Sequence, residues 1–208
     1  MILVTGGAGY IGSHTVKALK TAGYEPVIFD NLSTGHRSFI RNTPAIEGDL
    51  RNREDITGAF RQYAIDGVLH FAGKALVGES AVVPEAYYET NFVGGLNLLN
   101  AMKDAGAKYL IFSSTCATYG VPHKVPITED HPQNPINPYG QSKLAFERIL
   151  ESYGNAYAMT YLALRYFNAA GADPSGDIGE DHDPETHLIP TALLSGSVIV
   201  TLSMSRNG

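Results

Sequence analysis

The feature that most constrains this chain is a glycine pattern in a fixed place. Gly7-Ala8-Gly9-Tyr10-Ile11-Gly12 comes just after the apolar run Met1 to Val4 and the break at Thr5-Gly6. A helix-like mixture of apolar and polar residues follows from Ser13 to Ala22. A buried strand that turns through glycines into a helix aims free N–H groups and a positive dipole end at one point, a ready place for an anion. Gly7 and Gly9 permit the sharp turn and the close approach of a pyrophosphate, and Gly12 lets the helix pack on the strand.

A second strand-like run, Pro26 to Phe29, ends at Asp30. That is about 20 residues on, where a carboxylate bonds the ribose 2′-hydroxyl of NAD. Asp30 would repel a 2′-phosphate and so favours NAD over NADP, with Arg37 as the counter-indication. Further apolar runs at 67–71, 109–112 and 161–164 alternate with helix-like stretches at 52–63, 84–105 and 139–152. This βαβα alternation predicts an α/β fold: a Rossmann-like, doubly wound parallel sheet with helices on both faces and ligands at the carboxyl ends of the strands. Prolines 122, 126, 132, 135 and 138 mark an extended surface loop, and 170–187, rich in Gly, Asp, Glu and Pro, reads as a solvated loop or a lid.

Composition narrows the partners. A formal net charge of -6 argues against a broad surface for nucleic acid or anionic membrane. Cys116, the single cysteine, excludes an intrachain disulfide and a cysteine-based zinc cluster, and suits the cytoplasm. The N-terminal apolar run is too short for a signal-peptide core or a membrane span. His182 and His187, with Asp177, Glu180, Asp181, Asp183 and Glu185, match no known ligand spacing, so no metal is expected.

Tyr139 and Lys143 stand four apart on the helix that Pro138 precedes, hence on one face. A nearby ammonium stabilises a phenolate, so Lys143 is expected to lower the pKa of Tyr139 and make it a base, and also to bind a ribose. Ser113-Ser114-Thr115 ends a strand-like run and projects hydroxyls into the same crevice. A Ser/Thr, Tyr and Lys set results.

With these residues in place, the sequence resembles the extended short-chain dehydrogenase/reductases of the NAD-dependent epimerase/dehydratase family, and within them the UDP-glucose 4-epimerases. The resemblance is carried by GGAGYIGSH (6–14), DNLSTG (30–35), GDLRN (48–52), HFAGKALVGES (70–80), FSSTCATYG (112–120), PYGQSK (138–143), LRYFNAAGA (164–172) and ETHLIP (185–190). It implies cofactor contacts from Gly6, Gly7, Gly9, Tyr10, Ile11 and Gly12, from Asp30, Asn31, Leu32, Ser33, Thr34 and Gly35, and from Asp49 and Leu50 at the adenine. It adds Phe71, Ala72, Gly73, Lys74 and Ala75, then Asn91, Ser113, Lys143 and Phe167. Thr115, Tyr139 and Lys143 would be catalytic. Thr115, Tyr139 and Asn168 would meet the sugar diphosphate, and His187 and Leu188 the uridine.

The activity implied is interconversion of UDP-galactose and UDP-glucose through transient oxidation at C4. The resemblance further implies a homodimer through the 84–105 and 139–152 helices. Residues 1–168 would form the NAD-binding domain and 169–208 the start of a truncated substrate region, with 195–208 departing from the family's continuation. Two other readings stay open: a non-catalytic NAD-binding fragment, and a sugar-nucleotide 4,6-dehydratase. Against the dehydratase, Cys116-Ala117 stands where that branch carries an acid and a base.

Overall fold

The computed structural model describes residues 1–183, 185 and 187–194. Six parallel strands form one sheet: β1 (Ile2–Thr5), β2 (Pro26–Asp30), β3 (Ala45–Glu47), β4 (Gly67–His70), β5 (Tyr109–Ser113) and β6 (Thr160–Leu164), in the order β3-β2-β1-β4-β5-β6. β1 pairs with β2 on one side and β4 on the other, so the chain winds away in both directions from the β1/β4 junction. At such a switch point the strand ends leave a crevice.

The helices are α1 (Tyr10–Thr21), α2 (Arg37–Ile40), α3 (Arg53–Gln62), α4 (Val77–Ser80), α5 (Pro84–Tyr87), α6 (Gly94–Ala105), α7 (Pro138–Tyr157) and α8 (Leu188–Leu194). Leu3, Val27, Phe29, Val68, Leu110 and Phe112 of the sheet pack with Ile56, Leu98, Met102, Phe146 and Leu150 of α3, α6 and α7. Val4 and Ile28, whose side chains face the other way by strand alternation, pack with Val16 of α1. The expected doubly wound sheet is what forms.

The termini of the elements follow local chemistry. Asn137 caps α7 by accepting from the Gly140 N–H at 2.8 Å, and Pro138 in the first turn lacks the N–H that would be orphaned there. Asn52 caps α3 in the same way. The helix expected over 84–105 is interrupted: α5 runs through a wider π-helical stretch, Tyr88–Val93, into α6. β3 and the single-turn helices α2 and α4 had no sequence signal, because three or four residues are too few to show a period. β4 stops at His70, one residue short of the expected strand, and the N–H groups of Phe71 and Ala72 both bond the Thr5 carbonyl. Among the described residues no helix is long and apolar enough to cross a membrane.

Candidate active site

At the carboxyl end of β1 the glycine loop has the form the sequence predicts. Gly6 sits at φ +70, and a Cβ there would lie 2.5 Å from the Ala72 nitrogen. A Cβ on Gly12 would lie 2.0 Å from the Gly6 carbonyl oxygen. Both residues are therefore held to glycine by backbone on the far side. Asp30 is only 9% exposed and stabilises this loop directly: one carboxylate oxygen accepts from the Ala8 N–H and the other from the Leu32 N–H, each at 2.9 Å. Each oxygen retains a further lone pair for a ligand hydroxyl. Leu32 adopts φ 57 in the tight turn of residues 31–35.

Asn31 donates to Asp49 at 3.0 Å, and Arg51 grips the same carboxylate, its Nη2 2.6 Å away. Arg51 holds the Asp49 carboxyl well below the usual carboxylate range. The Leu50 side chain is buried in the main core, so only its main chain can face a ligand. Arg37 pairs with Glu47 at 2.6 Å.

Across the crevice, Asn91 is turned inward by the π-helical stretch, a common device at functional sites. It is 1% exposed. Its Oδ1 accepts from the Lys74 N–H at 2.8 Å, and its Nδ2 donates to the Lys74 carbonyl and to Ser142 Oγ, both at 3.0 Å. Lys74 meets Asn91 through its main chain, while its ammonium pairs with Glu79 at 3.0 Å. A Cβ on Gly73 would come within 2.8 Å of Asn91 Oδ1 and 3.2 Å of Lys143 Nζ, so this glycine leaves the floor of the crevice open.

Lys143 is 4% exposed and donates to the Ser113 carbonyl at 3.1 Å, with its ammonium 5.0 Å from the Phe112 ring centre. Burial lowers its pKa to about 8. Burial pushes Tyr139 up; the Thr115 hydroxyl beside it opposes the shift, while Tyr166 and Cys116 reinforce it. This corrects the expectation from the Tyr139/Lys143 spacing. The two residues share a helix face, but Lys143 directs its ammonium at the Ser113 carbonyl, and desolvation decides the direction for Tyr139. Thr115, 5% exposed, also accepts from the Ala117 N–H at 3.1 Å.

The remaining expected contacts are more open. Phe167 is 65% exposed and Leu188 60%, and Ala75 and Asn168 are exposed as well.

Sequence reading missed the groups that support this constellation. Ser114 donates to Glu147, which also accepts from Gln133 at 3.0 Å and Arg165 Nη2 at 2.7 Å. Burial alone would raise the Glu147 carboxyl, but these donors outweigh it and hold it low. Tyr166 hydrogen-bonds Ser113, and its carbonyl accepts from the Cys116 N–H, tying the ends of β5 and β6 together. His70, 1% exposed, pairs with Thr5 at 2.7 Å, and burial, then the Lys143 charge, depresses it to about 3, so it stays neutral. None of these carries a local signal, because each partner is distant in sequence.

The expectation that no metal site exists rested on spacing alone. In the structure Glu180, His182, Glu185 and His187 converge, their ligand atoms all within 4.8 Å of one another.

Comparison with known proteins agrees with this geometry. Residues 2–198 match the NAD dependent epimerase/dehydratase family. The UDP-glucose 4-epimerase of Rhizobium leguminosarum bv. trifolii is 52% identical over 192 residues, which are 92% of this chain and 59% of that relative. The crystal structure of UDP-glucose 4-epimerase from Brucella ovis in complex with NAD superposes with a TM-score of 0.91 at 52% identity, covering 93% of this chain and 59% of that one. The Bifidobacterium longum enzyme with NAD+ and UDP gives a TM-score of 0.83 at 39% identity, covering 87% and 57%. The chain thus spans less than two thirds of the length of the relatives it matches.

Proposed function

Because the chain belongs to the NAD dependent epimerase/dehydratase family, we propose that it carries the NAD site and the tyrosine-centred chemistry of a UDP-glucose 4-epimerase, interconverting UDP-galactose and UDP-glucose. What supports this reading is that Asn91 and Lys143 both lie beside Gly73, and that the Thr115 hydroxyl bonds Tyr139.

The residues present fit NAD. Gly6 and Gly12 keep the loop backbone bare where a pyrophosphate would lie against the start of α1. Asp30 can accept from a ribose diol, and the Arg37–Glu47 pair engages the nearby cation that would otherwise favour a 2′-phosphate. Lys143 has three N–H groups and makes one hydrogen bond, to the Ser113 carbonyl, leaving donors for the second ribose. When bound, NAD supplies a hydride acceptor and donor at the sugar C4.

The chain's own residues do the rest. Tyr139, whose phenol burial keeps protonated here, would need the positive charge of bound NAD to become the base that takes the proton of the 4-hydroxyl and returns it, with Thr115 holding the phenol oxygen. The ring of the 4-keto sugar would turn over between the two proton transfers and present its opposite face. Asn168 would meet the substrate diphosphate and His187 and Leu188 the uridine, with residues 169–208 opening the substrate region after the 1–168 NAD-binding domain. Tyr88 and Val93, 40% and 44% exposed on the α5 to α6 stretch, are available to a homodimer contact. A 4,6-dehydratase is disfavoured, because burial raises the Cys116 thiol and Ala117 has no ionisable group.

The alternative reading is a unit that binds NAD without turning over sugar. Incubating the purified chain with NAD and UDP-galactose separates the two. Formation of UDP-glucose supports the epimerase. NAD binding without conversion supports the binding unit, and failure to bind NAD would sink both.

A further inference from the structure

Outside the crevice, two imidazoles and two carboxylates meet without a motif to announce them. His187 Nδ1 lies 2.8 Å from Glu180 Oε1 and 3.2 Å from Glu185 Oε1. His182 Nδ1 lies 3.5 Å from Glu180 Oε1 and 3.9 Å from Glu185 Oε2. We propose that Glu180, His182, Glu185 and His187 form a tetrahedral site for a divalent transition-metal cation of the zinc class.

Three observations carry the assignment. First, zinc bound to nitrogen and oxygen at about 2.1 Å puts its tetrahedral ligands about 3.4 Å apart. Three separations, 2.8, 3.2 and 3.5 Å, join the two histidine nitrogens to the Oε1 atoms of Glu180 and Glu185 near that edge, while His182 meets Glu185 through its other oxygen, at 3.9 Å. Second, the Glu180 and Glu185 side chains are only 9% and 13% exposed, so this is not a solvated acidic face. A divalent cation with two neutral imidazoles would match two carboxylates in charge at neutral pH. Third, hydrogen bonding leaves the two histidine nitrogens short. The His187 Nδ1 position can carry one proton but faces two carboxylates, and His182 Nδ1 is buried with no hydrogen-bond partner. A lone pair on His182 Nδ1 pointed at a cation removes that deficit.

The sequence hides this site because its ligands come as two i, i+2 pairs, 180/182 and 185/187. Helical zinc motifs use i, i+4 spacing instead. The cation would act as a staple. The segment that carries the ligands already crosses the start of α1: Tyr10 donates to the Gly171 carbonyl at 2.5 Å and its ring meets the His182 ring edge-on at 6.3 Å. Lys17 pairs with Asp173, and Arg41 with Asp177 at 3.0 Å. Metal binding would fix this strap beside the glycine loop.

The test is metal content and affinity of the full chain. After stripping with EDTA, Zn2+ is titrated against a chromogenic chelator, with Mg2+ in parallel. About one Zn2+ per chain is expected, with no competition from Mg2+, which prefers six oxygen ligands. Glu180→Gln, which preserves shape, and His182→Ala should each weaken Zn2+ by about tenfold or more. The double variant His123→Ala/His131→Ala, which removes the other stacked histidine pair, should bind as the parent does. Limited proteolysis across 173–187 should slow with Zn2+ and recover with EDTA. Substoichiometric binding by the parent chain overturns the proposal, as does undiminished binding by Glu180→Gln or loss confined to the His123/His131 variant. Should a variant fail to fold, parent stoichiometry and Zn2+-dependent proteolytic protection still decide it.

Discussion

Lys143→Met should make the protein more stable while abolishing its use of cofactor. The Lys143 ammonium is buried at 4% exposure, and its pKa falls from 10.5 to about 8. That difference, at about 1.4 kcal/mol per pH unit, means the charged side chain costs the folded state about 3 kcal/mol at neutral pH. Removing the donor leaves the Ser113 carbonyl short of a partner, at a cost of about 1 kcal/mol. The net gain is about 2 kcal/mol at pH 7, or about 4–8 °C in Tm for a chain of this size. The pH dependence is the sharper part of the test. Between about 8 and 10.5 the unfolded chain keeps a proton on Lys143 that the folded chain has released, so raising pH stabilises the wild type. Its deficit against Lys143→Met should shrink and cross zero inside that window, leaving the wild type about 1 kcal/mol the more stable above it. Urea unfolding of both proteins from pH 7 to 10.5 measures this, and groups common to both cancel in the difference. Parallel stability curves, or a wild type more stable than the variant at pH 7, would refute the argument.

Tyr139→Phe should retain NAD binding but lose about 10²- to 10⁴-fold in turnover, measured as kcat for UDP-galactose wherever the parent converts it. Asp30→Ala removes the acceptor of the Ala8 and Leu32 N–H groups; NAD affinity should fall while NADP affinity holds or rises, and an unchanged NAD-to-NADP ratio in a fluorescence titration would exclude the ribose role. Gly12→Ala drives a Cβ to 2.0 Å from the Gly6 carbonyl oxygen, so thermal melts should show a loss of about 1–3 kcal/mol together with weaker NAD binding. Glu147→Gln leaves Arg165 poorly paired; with Arg165 24% exposed the loss should be about 2–3 kcal/mol. Because Glu147 is held below its ordinary 4.5, that stability is present above pH 4.5 and lost as pH falls through the lower folded value, so the gap between the two proteins should narrow in acid.

These outcomes divide along the line between what was legible in the sequence and what was not. Glycines 6 to 12, Asp30 and the five longer strands could be read because their constraints act between near neighbours: a turn, a cap, a period of two or 3.6. Tyr139 and Lys143 could be placed on one face for the same reason. Spacing could not tell that the ammonium of Lys143 would be drawn to Ser113, thirty residues earlier, so the expected depression of the Tyr139 pKa gave way to a rise from burial. Glu147 carries no local signal, because only the fold brings it Ser114 and Arg165. The His182 and His187 region failed differently: the residue types were visible, but their spacing matches no known ligand pattern. A pattern rule reads the backbone geometry it assumes. Where that geometry is set by contacts across the molecule, as in the strap held by Tyr10, Lys17 and Arg41, the ligands converge without any period that one sequence could show.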